Sequence, residues 1–203
     1  MVDDSYSRDH SFWQDVSRET LQKLEVYEAL LKKWQKSLNL ISGSTLDSIW
    51  DRHFLDSAQL FPHVKDYNTI ACLGSGAGFP GAVLAVLGLK KVTLIERDQK
   101  KAIFLRTLSR ELGVPFTVLN DDIRNINDAF DCIVSRALAP VADLLDLSKS
   151  IRTPESTCFF LKGSQANQEL AAAQEIWGMT TEIIPSITNK EGCILKISSI
   201  YTI

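Results

Sequence analysis

The sequence predicts an α/β fold: a mostly parallel seven-stranded sheet flanked by helices, closed by a C-terminal antiparallel hairpin and preceded by an N-terminal helical extension. Three observations carry this prediction. From Thr69 onward, short apolar runs alternate with amphipathic segments, the pattern of βα units. The last two apolar runs are separated only by Thr188-Asn189-Lys190-Glu191-Gly192, which has room for a turn and none for a helix. Up to about residue 66, strand signals are absent and apolar residues recur every three or four positions.

In that first part Leu21, Leu24, Tyr27, Leu31, Trp34 and Leu38 form one apolar stripe with Glu, Lys and Gln opposite. Strands are expected at Thr69–Leu73, Val92–Glu96, Phe116–Leu119, Asp131–Ser135, Cys158–Leu161, Glu182–Ile187 and Ile194–Ser198. Helices are expected near Pro80–Leu87, Gln99–Leu112, Val141–Ile151 and Gln165–Trp177, the second ended by a left-handed cap at Gly113. No Pro/Gly/Ser-rich linker precedes Tyr67. Residues 1–66 therefore read as an extension packed on the core built by residues 67–203, one compact unit overall.

The 203 residues are 45% hydrophobic and 23% charged, enough apolar surface for one sizeable core and too much for a disordered or fibrous chain. The net charge of −3 lies in residues 1–69, with eight Lys/Arg against eleven Asp/Glu, whereas residues 70–203 balance at fourteen each. Bulk charge thus gives no attraction to nucleic acid, and any such binding needs a local patch. Seven basic and two acidic residues between Lys90 and Arg110 offer one, with Glu96 and Asp98 expected to turn toward a cofactor; a solvated helix face is the competing reading. Cys72, Cys132, Cys158 and Cys193 sit in or beside apolar runs, with no C-x-x-C pair and no histidine at ligand spacing. They read as buried reduced thiols, and no metal site is expected. The start, Met1-Val2-Asp3-Asp4-Ser5, has no secretory h-region, and the uncharged stretch Tyr67–Leu89 holds five glycines and Pro80, which suit a strand-to-helix loop and not a membrane span. A cytoplasmic monomer without a membrane partner is expected.

The strongest local signal is Leu73-Gly74-Ser75-Gly76-Ala77-Gly78-Phe79-Pro80-Gly81, a glycine-rich turn after a strand and before a helix. Glycine permits the close backbone approach that lets N–H groups face a ligand. Glu96, at the end of the next strand, lies 22 residues after Gly74, near the offset at which a carboxylate accepts bonds from ribose hydroxyls. An adenosine-containing cofactor follows. Gly76-x-Gly78-x-x-Gly81 also satisfies the dinucleotide fingerprint, but the remaining chain is too short for a second nucleotide-binding half plus a substrate domain. Six parallel strands with one antiparallel strand make the Rossmann-like architecture of class I S-adenosylmethionine methyltransferases, an analogy at the level of fold.

Asn39-Leu40-Ile41, Trp50-Asp51-Arg52-His53-Phe54-Leu55-Asp56-Ser57, the glycine-rich turn, Phe104-Leu105-Arg106, Ser135-Arg136-Ala137 and Leu161-Lys162-Gly163 stand in an order and spacing that resemble the RsmG family, also called glucose-inhibited division protein B. The resemblance runs from about Leu21 to Ile197. It implies a bacterial methyltransferase domain, S-adenosylmethionine as cofactor and 16S ribosomal RNA in the small subunit or its assembly intermediate as partner. The implied acceptor is N7 of a guanine, position 527 in the 530 loop. By motif, Gly74 and Phe79 resemble cofactor-loop contacts, joining Gly76, Gly78 and Glu96; Ile123 and Arg124 resemble the pair flanking the adenine, with Asp122 beside them. Arg136 matches the arginine after the fourth strand and is counted with the cofactor contacts as well as the substrate-positioning ones, and Arg52, His53 and Lys162 resemble RNA-facing positions. The family usually has Asp at Cys72 and a carboxylate at Arg124, for which Asp121 or Asp122 can substitute. Cys72 supplies no charged anchor for the loop, which bears on cofactor affinity.

Guanine N7 carries a lone pair and no proton, so methylation there needs alignment and exclusion of water but no general base. Amino-group methylation would require an Asn/Asp-Pro-Pro-Tyr type of motif where Ser135-Arg136-Ala137-Leu138-Ala139-Pro140 stands, and Cys132, inside a strand, is poorly placed as a nucleophile for cytosine C5. Arg136 is expected to position substrate, its planar fork suiting a guanine edge or a phosphate, with a salt bridge to a neighbouring carboxylate as the competing reading. His53 taken alone is a structural histidine, with Asp51 and Asp56 as partners, and Trp34 and Trp50 are core rings. The competing functions are a small-molecule methyltransferase, a nucleotide-dependent oxidoreductase, and a catalytically weak RNA-binding assembly factor of the same fold.

Overall fold

A computed structural model of the chain describes residues 10–203; Met1 to Asp9, and with them the charged start discussed above, lie outside the described residues. Helices α1 (Ser11–Gln14) and α2 (Arg18–Gln35) come first. The Ser17 hydroxyl caps α2 by accepting the Thr20 N–H at 3.2 Å, which satisfies one of the orphan donors of the first turn. Leu24, Tyr27, Glu28 and Leu31 are buried on one side of α2, as the stripe requires. Glu28 is tolerated there because one carboxylate oxygen accepts the Trp50 indole N–H at 2.8 Å and the other pairs with Lys32 at 2.7 Å. A 3-10 turn (Gly43–Ser48), a π-helical turn (Trp50–Leu55) and two short helices, α3 (Asp56–Ala58) and α4 (Phe61–Val64), complete the extension.

The α/β part runs β1 (Ile70–Leu73), α5 (Gly81–Val86), β2 (Val92–Ile95), α6 (Gln99–Leu112), β3 (Thr117–Leu119), β4 (Phe130–Arg136), α7 (Val141–Leu147), β5 (Arg152–Lys162), α8 (Ala166–Gln174), β6 (Trp177–Pro185) and β7 (Cys193–Thr202). The sheet order is β3-β2-β1-β4-β5-β7-β6. All pairings among β1 to β5 are parallel, while β7 is antiparallel to both β5 and β6. The result is the expected six-plus-one arrangement, with β7 inserted between β5 and the edge strand β6.

The sheet is covered on both faces, which is why β1 is buried at all four positions. Ile70 and Cys72 pack with α2, α5 and α6, whereas Ala71 and Leu73 pack with α7 and α8. Trp13, Tyr27, Leu40, Trp50 and Phe54 of the extension belong to the first of these two layers. All four cysteines are buried free thiols, and among the described residues no helix is long and apolar enough to cross a membrane.

Element ends differ from expectation where polar residues enter strands. β5 begins at Arg152, six residues before Cys158; Arg152-Thr153-Pro154-Glu155 reads as loop, yet it runs through a register shift against β4 that accommodates the proline. Trp177 opens β6 instead of ending the preceding helix, which stops at Gln174. Its ring is buried under the Arg152 guanidinium at 5.2 Å. The helix expected over Val141–Ile151 ends at Leu147 and passes into a 3-10 turn, Lys149–Ile151. Gly113 ends α6 in the left-handed conformation, φ 60°, as predicted.

Tyr27 links the extension to the glycine-rich loop. Its hydroxyl donates to the Ala77 carbonyl at 2.5 Å, and its ring stacks on Phe79 with centroids 5.5 Å apart. Burial pushes the phenol well above its ordinary pKa, so it stays a donor. Tyr27→Phe leaves a buried carbonyl unpaired and is expected to destabilise the fold by about 1–3 kcal/mol in urea unfolding; an unchanged midpoint would show that the hydroxyl contributes nothing.

Candidate active site

The strand order reverses between β1 and β4, so the connections leaving their C-terminal ends diverge and open a crevice, the usual ligand position in sheets of this type. Two clefts of about 440 and 410 Å³ adjoin there and share Gly74, Gly76 and Ala137.

The first cleft is lined by the glycine loop, Glu96, Asp121, Asp122, Ile123, Arg124 and Leu138. Gly76 has φ +53°, and a Cβ there would meet nothing nearer than the Gly74 carbonyl at 3.8 Å. Gly78, φ +101°, is required for a different reason, since a Cβ would strike the Tyr27 hydroxyl from beneath the loop. Glu96 is buried, one oxygen accepting the Gly76 N–H at 2.7 Å and the other the Asp98 N–H at 2.8 Å. A carboxylate so placed keeps lone pairs for a diol. Asp98 does not line the cleft; its side chain caps α6 by accepting the Lys100 and Lys101 N–H groups at 2.8 and 3.0 Å, contrary to its expected turn toward a cofactor. Asp122 caps the turn that carries Arg124, accepting its N–H at 3.0 Å, and pairs with its guanidinium at 3.6 Å. Asp121 accepts from the Asp122 N–H and the Asn125 amide, both at 2.7 Å.

Beneath the loop, Cys72 is fully buried with its sulfur 3.7 Å from the Phe79 carbonyl. Burial pushes the thiol up to about 11, so it is neutral and acts as packing under the loop. An open glycine surface, a buried carboxylate at the ribose offset and the apolar side chain of Ile123 fit the adenosine part of S-adenosylmethionine.

The second cleft is lined by Thr45, Arg52, His53, Asp56, Phe79, Arg136, Lys162 and the β6–β7 loop. Arg136 donates from Nη1 to the Arg52 carbonyl at 2.8 Å and to Asp56 Oδ2 at 3.3 Å. Its Nη2 donates to His53 Nδ1 at 2.8 Å, and its guanidinium lies 4.7 Å over the Phe79 ring. His53 stacks on the same ring at 5.0 Å. Because Nδ1 accepts, Nε2 carries the proton and donates to Thr45 Oγ1 at 2.8 Å. Burial first, then the charges of Arg136 and Arg52, lower the imidazole pKa from 6.5 to about 3.

The structure thus gathers Gly74, Gly76, Glu96, Asp122, Ile123 and Arg124 on one cleft, and Arg52, His53, Phe79, Arg136 and Lys162 on the other. Contrary to their expected place among the cofactor contacts, Gly78, Phe79 and Arg136 do not line the first cleft: Gly78 lies under the loop and faces Tyr27, and Phe79 and Arg136 line the second cleft. Lys162 is turned inward, donating to the Ala139 carbonyl at 2.5 Å and to Glu169 at 2.7 Å. The chain between them, residues 137–139, passes through Ala137 at φ 50°, a strained position for a residue with a Cβ. Sequence reasoning missed Tyr27, Thr45 and Thr188 as parts of the site. It met Tyr27 only as one member of an apolar stripe, and no local pattern marks the two threonines.

Gly76→Val puts a branched side chain on the open face of the loop and is expected to abolish S-adenosylmethionine binding in calorimetry while the chain still unfolds cooperatively; retained binding would overturn the assignment of this cleft. His53 gives a pH signature. Above pH 6.5 the ring is neutral whether folded or not; as pH falls toward about 3, the unfolded chain takes up a proton that the folded one refuses, so stability is lost. His53→Gln should flatten that part of the Tm–pH profile, most clearly above the carboxylate range, and a parallel profile would contradict a depressed pKa.

The family described as rRNA small subunit methyltransferase G, GidB, matches residues 20–194. A ribosomal RNA small subunit methyltransferase G of Rhodospirillum centenum is 46% identical over 187 residues, covering 91% of this chain and 87% of that protein. The protein of the same name from Paramagnetospirillum magneticum is 42% identical, covering 91% of each. Among solved structures, a magnesium protoporphyrin IX methyltransferase from Synechocystis with bound SAM aligns with a TM-score of 0.58 at 10% identity over 84% of this chain and 96% of its own, a likeness of fold. Sheet order, crevice and glycine loop are those of a class I S-adenosylmethionine methyltransferase, and by sequence over most of its length the chain belongs to the GidB family, rRNA small subunit methyltransferase G.

Proposed function

We propose that this protein methylates small-subunit ribosomal RNA, with N7 of guanine 527 in the 530 loop of 16S RNA as acceptor and S-adenosylmethionine as donor. One observation carries the reading: a cofactor cleft and an acceptor cleft meet at Gly74, Gly76 and Ala137, and His53, Asp56, Arg136 and Lys162 on the acceptor side are held by protein partners. His53 is neutral and bonded to Arg136, Asp56 holds Arg136 and Thr188, and Lys162 holds Glu169. None is poised to take a proton, which suits an acceptor atom that has none to lose. When bound, the cofactor would supply a sulfonium methyl: the N7 lone pair would form the new N–C bond as the S–CH3 bond breaks, its electrons returning to sulfur so that a neutral thioether leaves. Glu96 holds the ribose, the 122–124 turn flanks the adenine, and Arg136 orients the base, with Arg52 and basic residues of the Lys90–Arg110 segment meeting phosphates. The extension, in its described part from residue 10 to 66, and residues 67–203 act as one unit and as a monomer.

Small subunits lacking the modification, incubated with the protein and methyl-labelled cofactor, should gain one 7-methylguanosine in the 530 loop. Label on an exocyclic amine, or transfer only to small molecules, would overturn the reading. Arg136→Ala should lower kcat about a hundredfold through misplacement of the base with cofactor affinity little changed. The chemical step should be nearly flat with pH across the neutral range; a steep single-proton dependence would reveal a base that this account lacks.

A further inference from the structure

The chain leaving β4 forms one wall of the cofactor cleft, which Ala137, Leu138 and Ala139 all line. Ala137 stands at φ 50°, where a Cβ crowds the following carbonyl. The next residue, Leu138, rests against the glycine loop: a Cβ on Gly74 would meet its Cδ1 at 2.5 Å and its Cδ2 at 2.9 Å. Leu138 is nonetheless 39% exposed, so a ligand in this cleft can remove more of its apolar surface from water. Backbone strain persists only where the surrounding structure fixes it, and beyond the bend two side chains do so. Lys162, at the end of β5, donates to the Ala139 carbonyl at 2.5 Å and to Glu169 Oε2 at 2.7 Å, and the same oxygen accepts the Val141 N–H at 3.1 Å. That N–H opens α7 and has no acceptor within its own helix, and Pro140 before it offers no side-chain cap. The lysine side chain is 6% exposed and the glutamate side chain 24%. Neither residue lines the cofactor cleft, so an influence of either on cofactor binding has to pass through the bend.

We propose that Glu169 is a positioning residue for the cofactor. It acts through Lys162 and the Val141 N–H, which together pin the exit of the 137–139 bend, and the pinned bend holds Leu138 in the cleft wall as an apolar contact for S-adenosylmethionine. The inference needs only the cofactor cleft and is independent of which RNA atom accepts the methyl.

The test measures S-adenosylmethionine affinity by calorimetry and the melting temperature of each variant. Leu138→Ala, a change at a partly exposed position, should fold as the wild type does and bind about tenfold more weakly. Lys162→Met/Glu169→Leu replaces the ion pair by apolar side chains of similar size and strands no buried charge; it should melt cooperatively and also lose about tenfold in affinity. Adding Leu138→Ala to that pair should cost less than about a further twofold, because the contact is already lost. Glu169→Gln keeps an acceptor for the Val141 N–H while breaking the ion pair, and should fall between, about threefold weaker than wild type. Unchanged affinity in Leu138→Ala would overturn the proposal whatever the other variants do, and so would wild-type affinity in a folded Glu169→Gln or Lys162→Met/Glu169→Leu protein. Losses that multiply to about a hundredfold in the triple variant would show that the pair supports the fold by a route separate from Leu138, a merely structural role.

Discussion

The phenyl ring of Phe79 is the joint on which the site is assembled. Tyr27 stacks on it from the extension at 5.5 Å, His53 from the π-helical turn at 5.0 Å, and the Arg136 guanidinium lies over it at 4.7 Å from the end of β4. Three stretches far apart in sequence thus take their position from one side chain of the glycine loop. A flat apolar face holding a guanidinium with little hydration suits an arginine and would serve a lysine poorly. The extension is for this reason part of the site: α2 shapes the underside of the loop through Tyr27, and the turn after it supplies the groups that orient Arg136.

Charge in the acceptor cleft is arranged so that one cation dominates. Burial pulls Arg136 below its ordinary pKa while Asp56 pushes it back, and the same cation helps to hold His53 neutral. A neutral imidazole accepts a hydrogen bond where an imidazolium would repel, so the Arg136 cation favours the neutral His53 that accepts from it. Glu96 plays the corresponding part across the shared glycines, a buried carboxylate whose bonds to the Gly76 and Asp98 N–H groups hold it ready without a cation.

The parts of this architecture governed by local pattern were legible in the sequence. The strand β1, the cap at Gly113 and the glycine loop followed by Glu96 each follow from residues within a few positions of one another, or from a fixed offset along one βα unit. The polar start of β5 was not, because a bulge and the stacking of Trp177 on Arg152 override propensities that read as loop. Asp98 shows a subtler failure, in which an acidic residue two positions after Glu96 turned out to serve the helix it begins. Family resemblance pointed to Arg52, His53, Arg136 and Lys162, yet it carried no information that Asp56 reaches across 80 residues to Arg136 and 132 to Thr188. Such contacts exist only once the sheet has brought β4 and the β6–β7 loop together.

The insertion of β7 between β5 and β6 also shapes how the chain is made. During synthesis β5, with its apolar run Cys158–Leu161, presents an unpaired edge until residues 193–202 have emerged, since β6 has no hydrogen bonds to β5 of its own. The β6–β7 hairpin is local in sequence and can zip before it docks, after which a single docking event seals that edge and brings Thr188 to Asp56. Completion of the sheet and closure of the acceptor cleft are one step of folding, so a nascent chain with an open cleft is also one with an aggregation-prone edge.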